Sequence, residues 1–483
     1  MKKIISILFG IIIAVNLAAQ DPFQDEFDSF FKQATQEFDD FRDRINNEYA
    51  EYLLSNWKEF NAMAPMEKPG DKPLPPVSYE GDRDIVKESR PVPFDSVVTV
   101  KEKGKKAKPA GPVKKQKGTG TRDIHFSCFG MPLSINVPAA KEFKLASTDT
   151  RDLSKAWKKL STKDFDVILA DCLAIRDREN LCDWAYLNML HSFAVQMLGE
   201  GDSATFLTAY IFAQSGYRMR LAVDSDKLRF LYGTDFIIYG KPYYPIGESN
   251  YFVFNGESQM LKIADIPYPD ETDLSLIMDS EQNFGNTLTK ERGLKSERYS
   301  VSVKCAVKEG QIEFFGTYPS GQIGEDYMTR WAIYANSPFS NEVKDEIYPS
   351  LKNKIEGKGK LEAADILLDF VQTAFEYEYD DNIWGADRVF FAEETLFYPY
   401  CDCEDRSILF SRLVRDLLDL KVALIYYPGH LATAVRFPDG PAGDYLSLED
   451  GEYTVCDPTF IGAPVGNTMP GMNNSEATVI LLP

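Results

Sequence analysis

The residues with the clearest capacity for chemistry lie in three short stretches near the C-terminus of the chain. The first, YPYCDCEDRSILF (398–410), places Cys401 and Cys403 one residue apart among acidic side chains. His430 follows Cys403 by 27 residues, and Asp457 follows His430 by another 27. A thiol, an imidazole and a carboxylate are the groups of a nucleophilic triad. In such a triad the imidazole takes the thiol proton and the carboxylate fixes the tautomer of the imidazole.

The elements around these residues suit that chemistry. Apolar residues at i, i+4 and i+8 predict a helix over about 404–420, so Cys403 lies at or just before its first turn. Unpaired N–H groups and the helix dipole at that end favour a thiolate. Alternating patterns predict a strand that opens at His430 and another that ends at Asp457. This order predicts Cys403 as nucleophile, His430 as general base and Asp457 as the acid that orients it.

Two further observations bear on the prediction. Asp402, Glu404 and Asp405 oppose a negative charge on the sulfur unless their carboxylates point away or cap the helix, a first-turn role that suits Asp405. Histidine is scarce, because the chain contains only His125, His191 and His430. His191 lies in a helical stretch where a structural role is favoured, and His125 lacks an acidic partner in a matching element. His430 is therefore the candidate base.

Other roles for the cysteine pair can be compared with this one. A zinc site requires more Cys or His ligands, and only Cys456 and His430 are available to join. A bond between Cys401 and Cys403 closes a strained small ring. Cys401 either pairs with Cys456 or is a buried structural thiol. We therefore expect no metal and no cofactor.

The stretches CEDRSILFSRLVRDLLDLKVALI, GHLATAVRF and YTVCDPTF together resemble the core of the transglutaminase-like superfamily, which has a papain-related fold. FVQTAFEYEYD and AEETLFYPY resemble the helix and loop that lead into the cysteine, so the resemblance covers about residues 361–462. It implies an acyl-transfer enzyme with Cys403, His430 and Asp457 in the roles given above. The implied substrate is a peptide or protein amide, with hydrolysis favoured over cross-linking. The alternative is a non-catalytic binding or envelope-assembly protein that reuses the fold.

The N-terminus and the composition indicate where the protein acts. MKKIISILFGIIIAVNLAAQ has two lysines, an apolar run and small residues, which is the layout of a signal peptide over residues 1–19. We therefore expect an exported protein, periplasmic or secreted, with no membrane span after signal removal. A net charge of −21 disfavours a nucleic-acid partner. Seven cysteines leave at least one thiol without an intrachain disulfide partner.

The next segments are an amphipathic helix and a linker. Aromatic residues recur every eleven positions between 23 and 60, which predicts one helical stripe within a segment spanning 20–63. The stripe packs on the rest of the chain, on a second copy, or on another protein, so self-association through residues 23–60 is one expectation. Prolines and eight lysines between Lys101 and Lys117 predict an extended or disordered linker over 64–120.

The remaining chain divides into an α/β domain (121–245), a β-rich domain (246–345) and the transglutaminase-like domain (346–483). The predicted fold class is therefore α+β. Residues 199–222 align without gaps on residues 402–425, which makes the α/β domain a candidate degenerate copy of the last one. In that alignment Glu200 falls at Cys403 and Lys227 at His430, so this copy lacks both nucleophile and base. It would then be a binding or structural module.

Overall fold

The computed structural model describes residues 22–70, 72–85, 88–100, 107–109, 113, 120–139 and 143–483. The predicted signal peptide and most of the lysine run lie outside the described residues. The described part is a mixed α+β structure with several sheets, as the sequence predicts. None of its helices has both the length and the apolar character needed to cross a membrane.

The helices of the described residues differ in length from 4 to 31 residues. They are α1 Pro22–Tyr52, α2 Thr150–Leu160, α3 Asp166–Arg178, α4 Asp183–Leu198, α5 Asp202–Gln214, α6 Glu309–Thr317, α7 Arg330–Asn336, α8 Asn341–Ile355, α9 Lys360–Thr373, α10 Asp380–Ile383, α11 Ala392–Phe397 and α12 Cys403–Leu418.

The strands are mostly short, and two sheets contain the longest ladders. They are β1 Trp57–Asn61, β2 Val77–Ser78, β3 Arg90–Pro91, β4 Ser96–Thr99, β5 Thr121–Cys128, β6 Met131–Pro138, β7 Met219–Asp224, β8 Lys227–Thr234, β9 Phe236–Ile238, β10 Tyr243–Ile246, β11 Ser249–Val253, β12 Met260–Ala264, β13 Arg292–Lys295, β14 Ser302–Cys305, β15 Gly321–Ile323, β16 Glu376–Tyr377, β17 Tyr400–Cys401, β18 Val422–Tyr427, β19 His430–Val435, β20 Asp444–Leu448, β21 Gly451–Cys456, β22 Phe460–Ile461 and β23 Thr478–Leu481.

The C-terminal sheet positions the candidate site. Its strand order is β3-β20-β21-β19-β18-β23-β4, and β18, β19 and β21 are antiparallel neighbours. Helix α12 packs across β18 and β19 through Leu409 and Leu413, which are fully buried. The predicted helix over 404–420 is thus confirmed to within two residues at each end.

The first large sheet repeats this arrangement. Its order is β1-β12-β7-β8-β11-β10, so β12-β7-β8-β11-β10 matches β23-β18-β19-β21-β20 strand for strand. Met219 and Lys227, which open β7 and β8, precede Val422 and His430 of β18 and β19 by the same 203 residues. Helix α5 packs on β7 and β8 as α12 packs on β18 and β19. Two units of common topology therefore follow each other: the first unit, α5 with β7, β8 and β10–β12, and the second or C-terminal unit, α12 with β18–β21 and β23.

The N-terminal helix is shorter than the eleven-residue pattern predicts. It ends at Tyr52, and Trp57–Asn61 instead forms β1, which pairs antiparallel with β12. Ile45 and Tyr49, from the C-terminal part of the stripe, are buried in the chain's own core. The stripe therefore packs on the rest of the chain in this region, and self-association through it stays a prediction.

Much of the segment predicted as an extended or disordered linker is in contact with the C-terminal unit. β2 pairs with β22, β3 with β20 and β4 with β23, each as a parallel edge strand. Some of its N–H groups bond to these strands, such as those of Tyr79 to Ile461 and of Val92 to Tyr445. We call residues 66–79, which are described except for residue 71, the strap.

The domain predicted to be β-rich (246–345) also contains helices. The stretch QIEFFGTY lies in helix α6 and not in a strand. Phe314 and Phe315 are adjacent and both are buried, Phe314 against Phe129 and Phe315 against Phe391. Two consecutive residues of a strand point to opposite faces, whereas here tertiary aromatic contacts favour a helix.

Candidate active site

Cys403 is the first residue of α12, and the residue before it caps the helix. Asp402 adopts an extended backbone, and its carboxylate accepts a hydrogen bond from the backbone N–H of Glu404 at 3.1 Å. Asp405 completes a reciprocal capping box, because its carboxylate accepts from the backbone N–H of Asp402 at 3.2 Å. The other oxygen of Asp405 accepts from the N–H of Phe390 at 2.8 Å. The capping role that the sequence suggested for Asp405 is confirmed.

His430 opens β19 after a two-residue turn. Pro428 and Gly429 form the turn, and Gly429 has φ +78°, a conformation that favours glycine. The hydroxyl of Ser407 on α12 donates to the carbonyl of Leu431 at 2.8 Å, which ties the start of the strand to the helix. His430 is 1% exposed, so its ring nitrogens depend on protein partners.

Asp457 follows β21 directly and holds one of those nitrogens. Its Oδ2 lies 2.9 Å from Nε2 of His430. Its Oδ1 accepts from the backbone N–H of Thr459 at 2.8 Å and from that of Phe460 at 3.2 Å. A carboxylate can only accept here, so Nε2 carries the proton and Nδ1 of His430 keeps the lone pair. Nδ1 is buried and has no hydrogen-bond partner among the described residues.

Cys403 and His430 line one small cavity of about 30 Å³. Burial raises the pKa of the Cys403 thiol well above its ordinary value, and the neighbouring charges of Asp402 and Glu404 raise it further. A hydrogen bond from the backbone N–H of Leu431 acts in the opposite direction on this pKa. Cys403 and His430 thus meet at this cavity, with Asp457 bonded to His430, and burial holds the pKa of the thiol high.

The other cysteines near the site are free thiols. Cys401 is buried, and the guanidinium of Arg406 donates to its sulfur at 3.4 Å. Cys456 is fully buried and also unpaired, so the disulfide considered between these two is not formed. The buried structural thiol, which was the other expectation for Cys401, agrees with its surroundings.

Gln372 and Trp384 carry side-chain N–H groups of the kind that could stabilise an oxyanion, but both have other partners. The amide nitrogen of Gln372 faces the carbonyls of Asp457 and Phe460 at 3.0 and 2.8 Å, so it holds the loop after β21. Trp384 packs against Arg388, Phe390 and Tyr398. Both side chains therefore serve the framework around the site.

One carboxylate cluster in the described part of the chain could hold a cation. Asp380, Asp402 and Glu404 are buried and bring one oxygen each within 4.8 Å of one another. An all-oxygen donor set suits a hard cation and not zinc. Burial raises the pKa of Asp380 to about 6 and that of Glu404 to about 7, which lowers the negative charge that the cluster would offer a cation. We do not assign these residues as metal ligands.

The corresponding place in the first unit has different side chains. Glu200, Lys227 and Phe254 line a cavity of about 510 Å³, where the sequence offset places Cys403, His430 and Asp457 in the second unit. His191 lies on the predicted helix and its ring meets that of Phe254 edge-on at 5.3 Å. A carboxylate, an ammonium group and a phenyl ring cannot perform thiol chemistry.

The sequence analysis missed the residues that close the site. Pro69 and Pro73 of the strap line the cavity together with Trp331, whose indole N–H donates to Glu404 at 2.7 Å. These residues lie far from Cys403 in the sequence and show no motif. Only the register of the strap against the C-terminal unit reveals their position.

Comparison of the chain with protein-family models, curated protein sequences and solved structures gave no match.

Proposed function

We propose that the protein is an exported thiol enzyme of transglutaminase-like type that acts on peptide or side-chain amides through a thioester on Cys403. The observation that carries this proposal is the hydrogen bond between His430 and Asp457 beside Cys403. It leaves Nδ1 of His430 buried and without a partner among the described residues, and Cys403 and His430 line the same cavity. A base with a fixed tautomer next to a thiol at a helix start is the arrangement that nucleophilic acyl transfer requires.

The chemical steps follow from this arrangement. The sulfur of Cys403 attacks the amide carbonyl carbon while its proton passes to Nδ1 of His430. The carbon–nitrogen bond then breaks, the proton passes from His430 to the leaving amine, and a thioester remains on the sulfur. Water attacks the thioester, gives a proton to His430 and releases the carboxylic acid, after which the sulfur regains its proton. We favour water over an amine as acceptor, as the family resemblance implies.

The fold class that this function requires is also part of the proposal. Helix α12 packed on the β18–β19 hairpin, with β21 beside β19, supports a transglutaminase-like, papain-related core for the C-terminal unit. The matching strand order of the first sheet supports a degenerate copy that has lost the chemistry.

The test is an acid-quenched reaction with a library of peptide amides, with and without a fluorescent primary amine. We expect mass spectrometry to find an acyl adduct on the peptide that contains Cys403, together with hydrolysed product. Cys403→Ala should abolish both, whereas Cys401→Ala, two positions away, should abolish neither. Because access to the thiol also matters, the reaction is run on the intact chain and on a chain from which the strap has been cut out by proteolysis, which we call the opened chain.

A second candidate is a binding or envelope-assembly protein that reuses the fold. It is favoured by the raised pKa of Cys403 and by the large cavity without a nucleophile in the first unit. This candidate replaces the first if no library peptide gives hydrolysis, amine incorporation or an adduct in either form of the chain.

A further inference from the structure

The strap crosses the outside of the candidate site. Pro69 and Pro73 line the cavity that contains Cys403 and His430. Cys403 is 5% exposed and His430 1% exposed. The cavity volume of about 30 Å³ is far below the few hundred Å³ of pockets that bind ligands. A peptide substrate therefore cannot reach the sulfur while the strap is in place.

The backbone of the strap is held by the turn that precedes the candidate base. The N–H of Leu74 donates to the carbonyl of Gly429 at 2.8 Å. The carbonyl of Lys72 lies so close to Gly429 that a Cβ there would be 2.6 Å from its oxygen. Tyr377 donates its hydroxyl to the carbonyl of Leu74 at 3.2 Å. An extended chain thus lies along the rim of the cleft as a peptide substrate would.

The two ends of the strap are held by different kinds of contact. Near its start, Lys68 forms an ion pair with Asp387, and its charge lowers the pKa of the neighbouring Glu404. Near its end, Val77 and Ser78 form β2, which pairs with β22 of the C-terminal unit. One of the two lysines of the strap, Lys68, therefore meets the acidic rim of the site.

The composition of the strap makes it both extended and releasable. Pro69, Pro73, Pro75 and Pro76 favour extended backbone and carry no N–H group. From Pro73 to Pro76, only Leu74 can donate a backbone hydrogen bond. Several of its residues are solvent-exposed, among them Glu67, Lys72 and Pro75. Besides the pairing of β2 with β22, its backbone is held by bonds of Met66 to Gly240 and of Leu74 to Gly429 and Tyr377, so a limited set of bonds must break for this segment to leave the surface.

We propose that the strap occupies the substrate cleft as an intramolecular substitute for substrate, which keeps the chain closed until the strap is displaced. The cleft accordingly takes extended peptides that pair with Gly429 and place a basic side chain at Asp387. The statement that the cleft binds substrate rests on the proposed function. It adds the substrate class and the means of control.

The experiment introduces protease-specific cleavage sites at the exposed positions 64–65 and 80–81, which bracket the strap. After cleavage and gel filtration, mass spectrometry shows whether the strap has left. Iodoacetamide labelling of Cys403 at a fixed pH is then followed by peptide mass spectrometry. We expect labelling to rise at least about tenfold when the strap is gone. A cleavage site at the exposed loop 356–359 is the matched control and should not change the rate.

An add-back experiment tests the substrate class. A synthetic peptide of residues 66–79, MEKPGDKPLPPVSY, should bind the opened chain and restore protection of Cys403. Peptides with Lys68→Ala or Leu74→Pro should protect more weakly, because the first loses the ion pair and the second loses the N–H that reaches Gly429. If the cut strap does not dissociate, the same two substitutions in the intact chain should raise the labelling rate.

The outcomes separate this inference from the proposed function. Unchanged labelling of Cys403 in the opened chain overturns the proposal that the strap covers the cleft. If the cut strap stays bound, unchanged labelling of the two substituted chains overturns it. A strap peptide that does not protect Cys403 also overturns it. Faster labelling without amide hydrolysis supports the strap as a gate while the enzymatic function fails. Equal hydrolysis by the intact and opened chains supports the enzyme and overturns the closed state. Thermal unfolding of each form confirms that the fold persists.

Discussion

The hydrogen bonds of Asp457 allow the effect of Asp457→Asn to be worked out in detail. The carboxylate accepts from two backbone N–H groups through Oδ1 and from Nε2 of His430 through Oδ2. An asparagine amide can keep its oxygen on the N–H groups of Thr459 and Phe460. Its NH₂ group then faces Nε2, which must become the acceptor. The ring proton moves to Nδ1, and Nδ1 can no longer take the proton of Cys403.

The opposite orientation of the amide is costly. It turns NH₂ toward two buried N–H donors and leaves both without an acceptor, at about 1–3 kcal/mol each. A penalty of about 2 kcal/mol leaves the competent tautomer in about one molecule in thirty. The neutral amide also loses the charge-assisted stabilisation of the imidazolium, which is about 1.5–3 kcal/mol. We therefore expect acyl transfer to fall by roughly 10³-fold or more.

The assay follows release of a fluorescent amine from a peptide amide, in the intact and the opened chain. Asp457→Asn keeps the two backbone hydrogen bonds, so the free energy of unfolding should fall by only about 1–2 kcal/mol. Asp450→Asn, which alters a carboxylate that pairs with Lys421 far from the cavity, is the control. A variant that folds normally and retains more than a tenth of the wild-type rate would refute the tautomer argument.

Three further changes test the framework of the site. Burial raises the pKa of Glu393 from 4.5 to about 7. Because the unfolded chain loses this proton at a lower pH than the folded chain, the free energy of unfolding should fall by up to about 3 kcal/mol as the pH rises from about 4.5 to 7. Glu393→Gln should remove that fall in urea unfolding, and an unchanged pH slope would contradict the assignment. Gly429→Ala should lower the free energy of unfolding by about 1–2 kcal/mol, because the φ of +78° at this position disfavours a side chain. The new Cβ would also clash with the Lys72 carbonyl of the strap, so iodoacetamide labelling of Cys403 should become faster. Unchanged labelling would show that the strap tolerates the methyl group. Arg406→Met leaves two buried carbonyls, 3.0 and 2.8 Å from the guanidinium, without their donor, and should cost about 2–5 kcal/mol. The exposed Arg44→Met should change stability by less than about 0.5 kcal/mol, and equal effects of the two substitutions would refute the structural role of the buried arginine.

The sequence predicts much of the candidate site because each of its residues lies at the end of a regular element. The apolar repeat of α12 fixes the position of Cys403 at the helix start, and the alternation of β19 fixes His430 at the strand start. What sequence periodicity cannot supply is the order of strands in the sheet. Asp457 reaches His430 because β21 pairs with β19 across the sheet, although β20 lies between them in the chain.

The sequence is least informative where tertiary contacts decide the structure. Trp57–Asn61 continues an apolar repeat and yet forms a strand, because β12 offers it a free edge. The strap has the composition of a tether, and its order comes from a few contacts such as Leu74 with Gly429. Local propensity does not record contacts between residues about 200 to 350 positions apart, as in these two examples.

The acids around Cys403 show how sequence and tertiary structure together determine the state of the thiol. From the sequence they argue against a thiolate, whereas in the structure Asp402 and Asp405 cap the helix and Glu404 accepts from an indole. They still raise the pKa of the thiol, but burial is the largest cause of that rise, and the strap supplies part of the burial. Displacing the strap therefore removes its share of the burial and leaves the charges of the acids in place. Labelling of the opened chain separates these two contributions, because the acids stay in place while the cover is gone.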